Sequence, residues 1–568
     1  MAPLPDDALV EAIQQSTHCS YPYAVLLARR GGSAWERLID PDSHQLHPPV
    51  LLTDMEKAID RLVAAIDSGE RIFLHGDFDV DGLSGAAVLY RGLRPLLPPN
   101  TIKVEVGDRT LGHGISRAFV LRAIEEGFRL VVTTDCGVSN GAEIADLRAA
   151  GIDTIITDHH LPPTSLPDAV AVIDPHRPDD AYPNRHLAGV GVAFKLICGL
   201  YERLGRPAPL SLLDLVALGT IADLVPLSAD GDNENRVIIR EAFDRIARGE
   251  GSSLGLRALM SRLSIQPRKL STSDIGFLVA PKLNAANRAG DPKVAFLLLI
   301  TEVEDQAEYL AEILLDYNRD REIAQNDLIS QAEEMIRAED LDPREDGLVF
   351  IVGPYWNEGL LGLVASNLAD RYRVPTIVVS RGDRVSRGSC RSVGGFDMNA
   401  CLDAHADLLL QYGGHKMAAG FSVDTETLPQ LEERLFDYFG ARAGDLAIPL
   451  REQIDAPITI DEVDHRFHED LSALAPFGPG NPIPRFLLSD CSFTDLGLVG
   501  ARRQHLKGRV VQRGVAAPFI AFRMGRHLDA FERSDGASLV CQIGFDDWRS
   551  VVQVQGIDLV EPIPKTSG

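Results

Sequence analysis

The chain has 568 residues, 45% of them hydrophobic and 24% charged, and a formal net charge of −26 at pH 7. That length predicts three or four domains, each able to bury a core. No apolar run nears a membrane span, the opening MAPLPDDALVEAIQQ has no apolar signal core, and the seven cysteines form no CxxC pair. Those features argue against a membrane protein, a disulfide framework and a zinc ribbon, and a cytoplasmic location is expected.

In chain order, residues 1–47 are expected to form an N-terminal helical segment. From 48 to 235 short apolar β-rich runs alternate with amphipathic helices. RIFLH, TIKVEV, RLVVTTD, DTIITD and DAVAVIDP read as strands. A helix starts at about Leu83, and others cover SRAFVLRAIEEG, NGAEIADLRAAG and LAGVGVAFKLICGLYERLG. This alternation predicts a mostly parallel sheet with helices on both faces. Residues 236–345 read as a helical connector, in which the charged stretch 303–340 suits a helix bridging two domains. A second α/β unit is expected over 346–445. Residues 446–568 carry short β-like runs with Gly and Pro between them, as in a small antiparallel barrel or sandwich. The charge is uneven: residues 481–526 hold eight Arg or Lys against two Asp, and residues 379–393 hold four Arg against one Asp. The acidic total therefore does not exclude a nucleic-acid partner.

The chemistry concentrates in the first α/β unit. HGDFDVDG (75–82) packs His75, Asp77, Asp79 and Asp81 beside one strand end. Asp135 follows in VVTTDCG, then Asp158, His159 and His160 in TIITDHHLP, then Asp223 in ALGTIADLVP. The first three clusters each fall where a strand passes into its loop, and in open α/β sheets those carboxyl ends share one edge. Taken singly, the aspartates could be turn formers or helix caps. The stretch is not an EF-hand, since Val88 stands where the closing Glu belongs. Converging Asp and His side chains without matching Lys or Arg predict a metal site. The set is large enough for two divalent ions about 3.5–4 Å apart, and mixed oxygen and nitrogen ligands favour Mn²⁺, Fe or Zn over Mg²⁺ alone.

The HxxxDxD spacing, Asp135, the DHH triplet and Asp223 resemble the four motifs of the DHH phosphoesterase superfamily. LAGVGVAF (187–194), LLDLVALGTIADLVPL (212–227), PKLNAANR (281–288), YWNEGLLGLVAS (355–366), GSCRS (388–392), YGGHKMAAG (412–420) and APFGPGNPIPRF (475–486) narrow the resemblance. In that order they resemble the RecJ family of bacterial single-strand-specific 5′-exonucleases, over about residues 50–515. The resemblance implies a parallel-sheet DHH domain, a helical connector, a second α/β domain of DHHA1 type and a C-terminal OB-like barrel. It implies that His75, Asp79 and Asp135 hold one ion, and that Asp81, Asp135, His159 and Asp223 hold the other. Asp77 would lie close by as a second catalytic carboxylate, either a ligand or a support to the ligands, and His160 would face the scissile phosphate as hydrogen-bond donor or general acid. Arg109 and Arg288 would meet the 5′ end. Asn284, Arg391, Ser392, Gly413, Gly414 and His415 would contact the strand.

Implied partners are single-stranded DNA, a helicase and a single-strand-binding protein, with the enzyme a monomer in DNA repair and recombination. The chain departs from the family at Asn357 (usually His), at Asn287 (usually Gly) and in the shorter loop GDRTLGHG (107–114). Two other readings share the motifs. One is a smaller DHH phosphatase acting on pyrophosphate, cyclic dinucleotides or short oligonucleotides. The other is a non-catalytic DNA-binding scaffold, which would have lost metal ligands.

Overall fold

The computed structural model describes residues 5–39, 46–109, 112–250, 253–338, 343, 347–442, 453–500, 502–534, 536–546 and 549–560. The boundaries expected at 345/346 and 445/446 lie outside the described residues, as do Thr110 and Leu111 of the 107–114 loop.

The first sheet has strands β1 (Ile72–Gly76), β2 (Ile102–Val106), β3 (Leu130–Thr134), β4 (Asp153–Thr157) and β5 (Ala171–Ile173), all parallel, in the order β2-β1-β3-β4-β5. Alternate residues enter opposite cores, as the two-residue period of a strand requires. Ile72, Leu74, Leu130 and Val132 join the large cluster under the helices Met55–Ser68, Val80–Leu93 and Gly189–Arg203. Phe73, Val131 and Ile156 face the helices Arg117–Glu125 and Gly141–Ala149. The helix after β1 begins at Val80, earlier than the expected Leu83. Asp79 caps it, accepting hydrogen bonds from the Asp81 and Gly82 N–H groups.

The helix Glu234–Arg248 runs across the boundary expected at 235/236, and the first core continues through the connector to Leu314. The helix Glu304–Ala338 is the bridge. Its Ala307, Leu310, Ala311 and Leu314 bury into the first lobe, and Leu328, Ile329, Ala332 and Ile336 into the second. That second lobe is built on β6 (Val349–Pro354), β7 (Thr376–Arg381), β8 (Val385–Arg391), β9 (Leu409–His415) and β10 (Ala418–Asp424), in the order β6-β7-β8-β10-β9. Only the β6–β7 pair is parallel among the described residues.

The C-terminal sheet orders β11 (Ala456–Ile458), β12 (Phe486–Val499), β13 (His505–Gln512), β14 (Val515–Ala521), β15 (Ala537–Asp546) and β16 (Val551–Val560) as β11-β12-β13-β14-β16-β15. Pairing of β12 with β15 closes it into a barrel. The helices Asp7–Thr17 and Tyr21–Gly31 pack on this barrel, with Tyr23, Leu26 and Leu27 in one cluster with Phe467, Phe486 and Phe519. The first and last segments of the chain therefore share a core. Arg236, fully buried, joins that assembly to the first lobe by donating to the Leu38, Ala473 and Ala475 carbonyls. Among the described residues no helix is long and apolar enough to cross a membrane.

Candidate metal centre and strand cleft

Strand register builds the acidic edge. Gly76 pairs with Thr134, Thr134 with Thr157, and Thr157 with Ile173. The next residues are Asp77, Asp135, Asp158 and Asp174, so four strands each place one aspartate on the same edge. The order reverses at β1, and Asp77 and Asp135 straddle that switch point, where open α/β sheets bind ligands. Asp135 sits at φ +59°, an uncommon conformation for a residue other than glycine.

Among the described residues, three groups of side chains have ligand atoms within 4.8 Å of one another: Asp77, Asp79 and Asp135; Asp81, His159 and Asp223; and Asp135, His159 and His160. Asp135 and His159 are each shared by two of them. The His159 Nε2 lies 3.1 Å from Asp135, 3.6 Å from Asp223 and 3.8 Å from Asp81. Burial and the neighbouring His160 push the His159 pKa down to about 3, so its ring is neutral at pH 7. A neutral nitrogen among carboxylates could serve a metal ion as a ligand. Burial, then the other carboxylates, raise Asp79, Asp81 and Asp135, and burial followed by Asp79 raises Asp223 to about 7. Asp77 Oδ1, His75 Nδ1 and His159 Nε2 are buried without a hydrogen-bond partner among the described residues. Orphaned buried ligand atoms among self-repelling carboxylates fit divalent cations. His75 belongs to none of the three groups; its Nε2 lies 3.3 Å from the Gly114 carbonyl.

The motif glycines serve this packing. Asp81 accepts from the Gly189 and Val190 N–H groups at 2.7 and 2.9 Å, at the positive end of the helix Gly189–Arg203. A Cβ on Gly189 would stand 2.5 Å from the Asp135 Cβ, and one on Gly219 would stand 2.7 Å from Asp81 Oδ1. His160 is oriented by buried Asp158, which accepts from its Nδ1 at 2.8 Å and also from the His159, His160 and Val138 N–H groups. Burial opposes a charge on His160, but the Asp158 hydrogen bond and charge win and raise its pKa to about 9. His113, from the short 107–114 loop, stands beside it. Its Nδ1 is 3.2 Å from Asp77, and its ring centroid 4.5 Å from that of His160.

The second half of the site is basic. Arg109 lays its guanidinium over the Phe78 ring, 4.5 Å from the centroid. Arg288, on the helix Ala280–Ala289, donates to the Gly359 carbonyl across the cleft. Asn284 lies one turn before it, partly buried. Arg391, on β8, donates to Ser366 Oγ and to the Cys390 carbonyl. Arg321, on the long bridging helix, completes the group. Burial, then Arg109, Arg321 and Arg391, push Arg288 down to about 9. These four arginines come from four segments and repel one another, so the cleft invites an anion.

Ser392 turns its hydroxyl inward, donating to the Phe396 carbonyl at 2.6 Å. Gly413, Gly414 and His415 lie on β9, the exposed edge of the second sheet, and Gly413 opens to free space. Asn357 caps the helix Glu358–Tyr372, accepting from the Gly359 N–H at 2.9 Å. On the barrel, exposed Phe522 meets His505 edge-on, and the Arg523 N–H donates to His505 Nδ1 at 2.9 Å.

Sequence reasoning gave no role to Asp174, His113, Phe78, Arg321 or Phe522. Asp174 follows its strand at the same offset as Asp77, Asp135 and Asp158, a signal open to a reader of the sequence. Arg321 and Phe522 carry no such signal, because only folding brings them to their sites.

The fold and metal-type edge define a DHH-type phosphoesterase carrying a second, DHHA1-type lobe. The family model described as "DHH family, N-terminal domain" matches residues 71–220, the DHHA1 domain matches 345–441, and the RecJ OB domain matches 454–557. The single-stranded-DNA-specific exonuclease RecJ of Salmonella typhimurium is 34% identical, covering 83% of this chain and 84% of that protein. The RecJ of Bacillus subtilis is 31% identical, covering 96% and 68%. The crystal structure of Thermus thermophilus RecJ in complex with Mn²⁺ superposes with a TM-score of 0.82 at 29% identity, covering 99% of this chain and 79% of that one. A Mg²⁺ complex of the same protein gives 0.76 at 27% identity, with 99% and 78% covered. The chain belongs to the RecJ family.

Proposed function

We propose that this protein is a divalent-metal-dependent exodeoxyribonuclease that takes an unpaired DNA strand by its 5′ end and releases 5′-mononucleotides, in DNA repair and recombination. One observation carries the reading. A self-repelling acidic edge and a self-repelling arginine group meet at Phe78, which is flanked by Asp77 and Asp79 and carries Arg109 on its ring. A phosphodiester held by cations on one side and by guanidinium groups on the other relieves both.

Asp77, Asp79 and Asp135 would hold one divalent ion, with His75 close by, and Asp81, Asp135, His159 and Asp223 a second, Mn²⁺ being favoured and Mg²⁺ admissible. Such ions supply positive charge to phosphate oxygens and acidify water for attack on phosphorus. His160, held by Asp158, donates a hydrogen bond to the scissile phosphate or a proton to its leaving oxygen. Arg109 and Arg288 receive the 5′ end, with Arg391 beside them. Ser392, the Gly413–Gly414 pair and His415 line the approach to the second lobe. The barrel offers charge and one exposed aromatic ring to the trailing strand, as OB folds do for unpaired nucleic acid. A dinucleotide phosphatase has no need of that surface, and a non-catalytic scaffold has no need of the full ligand set.

A duplex would have to be unpaired, at about 1.4 kcal/mol of stacking per step. A helicase would therefore open a duplex ahead of the protein, and a single-strand-binding protein as partner, a monomeric state and a cytoplasmic location complete the proposal. The test uses a long single strand labelled at its 5′ or 3′ end, and its blunt duplex, with Mn²⁺. Early loss of the 5′ label with the duplex resistant is expected. Equal attack on the duplex, or early release of the 3′ label, would sink the reading.

A further inference from the structure

The two oxygens of the Asp77 carboxylate meet different surroundings. Oδ2 lies 3.2 Å from His113 Nδ1, whereas Oδ1 is buried without a hydrogen-bond partner among the described residues. An ionised carboxylate only accepts, so His113 Nδ1 carries the hydrogen of that contact. The carboxylate is thus tethered through one oxygen and bare at the other. Asp79 and Asp135 complete its ligand group, within 4.8 Å. Metal sites work in this way: a hydrogen bond to a ligating group orients it and leaves its free atom to the ion. The chain fixes His113 from both sides. Gly112 and Gly114 flank it at φ +91° and +96°, a conformation that glycine enters without strain. A Cβ on Gly114 would collide with Asn140 Oδ1. That oxygen accepts from the Ile115 N–H at 3.0 Å, and Asn140 Nδ2 donates to the Ile115 carbonyl at 3.3 Å. Asn140 stands five residues after Asp135, so the clamp ties His113 to a second member of the same ligand group. The Gly114 carbonyl faces His75 Nε2, on the strand that runs into Asp77. The His113 side chain itself is 40% exposed, so filling a core does not explain its place.

We infer that His113 is a positioning residue of the metal centre: its Nδ1–H holds Asp77 Oδ2, so that Oδ1 stands ready, with Asp79 and Asp135, for one divalent ion. The inference rests on the metal centre of the proposed function and not on strand polarity or product. Without the tether, the ion itself would have to order the Asp77 side chain, at a cost to affinity. The ligand group Asp81, His159 and Asp223 does not include Asp77, so an ion there should be held as before. The contact governs how tightly one ion is held and not which bond is cut. Relatives with a different loop therefore need no equivalent.

The test uses the full-length protein, stripped of metal with EDTA and dialysed. It reads Mn²⁺ binding by electron paramagnetic resonance of the free ion, beside turnover on a long single strand. His113→Leu removes the donor and keeps apolar bulk. His113→Asn keeps an N–H donor at nearly the same reach from the backbone. In the Leu variant the Kd of one Mn²⁺ should rise about 10- to 100-fold, the range for losing such a support, while the other stays within about threefold. Turnover should fall at limiting Mn²⁺ and recover as Mn²⁺ is raised, with KM for the strand within about threefold. The Asn variant should bind both ions as the wild type does. Unchanged Mn²⁺ affinity in the Leu variant would overturn the inference. So would an Asn variant as weak as the Leu variant, which would make the ring itself a ligand or a support of His160. Equal weakening of both ions, with a lowered melting temperature in EDTA, would overturn it too and reduce His113 to a structural role. A wild type that binds two Mn²⁺ yet cuts no strand would overturn the proposed activity instead, and the binding curves would still decide the role of His113.

Discussion

The acidic edge and the arginine group are two answers to one physical problem. Both crowd like charges into a partly buried place, and both shift their own titration to resist it. Burial and the neighbouring carboxylates raise Asp79, Asp81 and Asp135, while burial and three other arginines lower Arg288 to about 9. They differ in how they are built. The carboxylates come from one sheet edge and the helix positions behind it, held in a rigid frame by strand register and by the N–H groups of the helix Gly189–Arg203. The arginines come from four segments in two lobes and the bridge between them. Local geometry can define a cation site, whereas the anion site exists only once the lobes have met. The acidic half should therefore govern the rate of chemistry, and the basic half the concentration of strand needed.

The largest expected break is at Asp135, which belongs to two ligand groups. Asp135→Asn should lower kcat at least about 10³-fold, the scale of losing metal-assisted attack, while strand binding by fluorescence anisotropy stays within about threefold. Wild-type turnover at saturating Mn²⁺ would end the metal-centre reading.

Next comes Arg288. Arg288→Met should raise KM about 10- to 100-fold, the worth of a charged hydrogen bond, with kcat much less affected. The salt dependence of binding should become shallower by about 0.7 in log–log slope for each phosphate of a single strand that no longer meets a cationic side chain. A kcat loss equal to the KM effect would show that the division between the two halves is wrong.

A smaller effect sharpens the repulsion argument. Without divalent ions, Asp223→Asn removes one repelling carboxylate, and the first lobe should gain about 1 kcal/mol, read as a raised melting temperature in EDTA. With Mn²⁺ at about 100 times its Kd the wild type should gain about 2.7 kcal/mol and the variant less, so the order reverses. A variant no more stable than the wild type in EDTA would mean that these carboxylates do not repel, and a variant still the more stable with Mn²⁺ would mean that Asp223 does not help to hold the ion.

The smallest effect concerns Asp158 and His160. The folded pKa of His160, about 9, lies above its ordinary 6.5, so the pair contributes stability that is fully present below about 6.5 and lost as pH rises through about 9. His160 is one-third exposed, so solvent screening reduces its worth to about 1 kcal/mol. Asp158→Asn in EDTA should thus cost more at pH 6 than at pH 9.5 by urea denaturation. A cost independent of pH would assign Asp158 to its backbone N–H partners alone.

Deleting the barrel would be a poor probe of strand affinity, because the helices Asp7–Thr17 and Tyr21–Gly31 lose their core with it. Nothing in the sequence of those two helices announces that partner. Their amphipathic pattern shows that they must cover something, and only the fold shows that it is a barrel hundreds of residues away.

Local sequence specified the elements and the cation half of the site. Periodicity marked the five strands of the first sheet, and a carboxylate placed just past a parallel strand must reach the shared edge whatever the rest of the chain does. That is why Asp77, Asp135 and Asp158 are legible from the chain alone, along with the bridging helix. Folding in three dimensions settled what depends on distances between segments: that Arg321 joins Arg109, Arg288 and Arg391, that Ser392 turns inward, and that His75 stands apart from the three ligand groups. It also made Asn287, read in sequence as a departure from a motif, a link from the Phe78 carbonyl to the Arg109 N–H. The physical reason is one of range. Strand and helix periods act within a few residues and are written locally, whereas the pairing of an amide with a carbonyl about two hundred positions away is fixed only when the whole core closes.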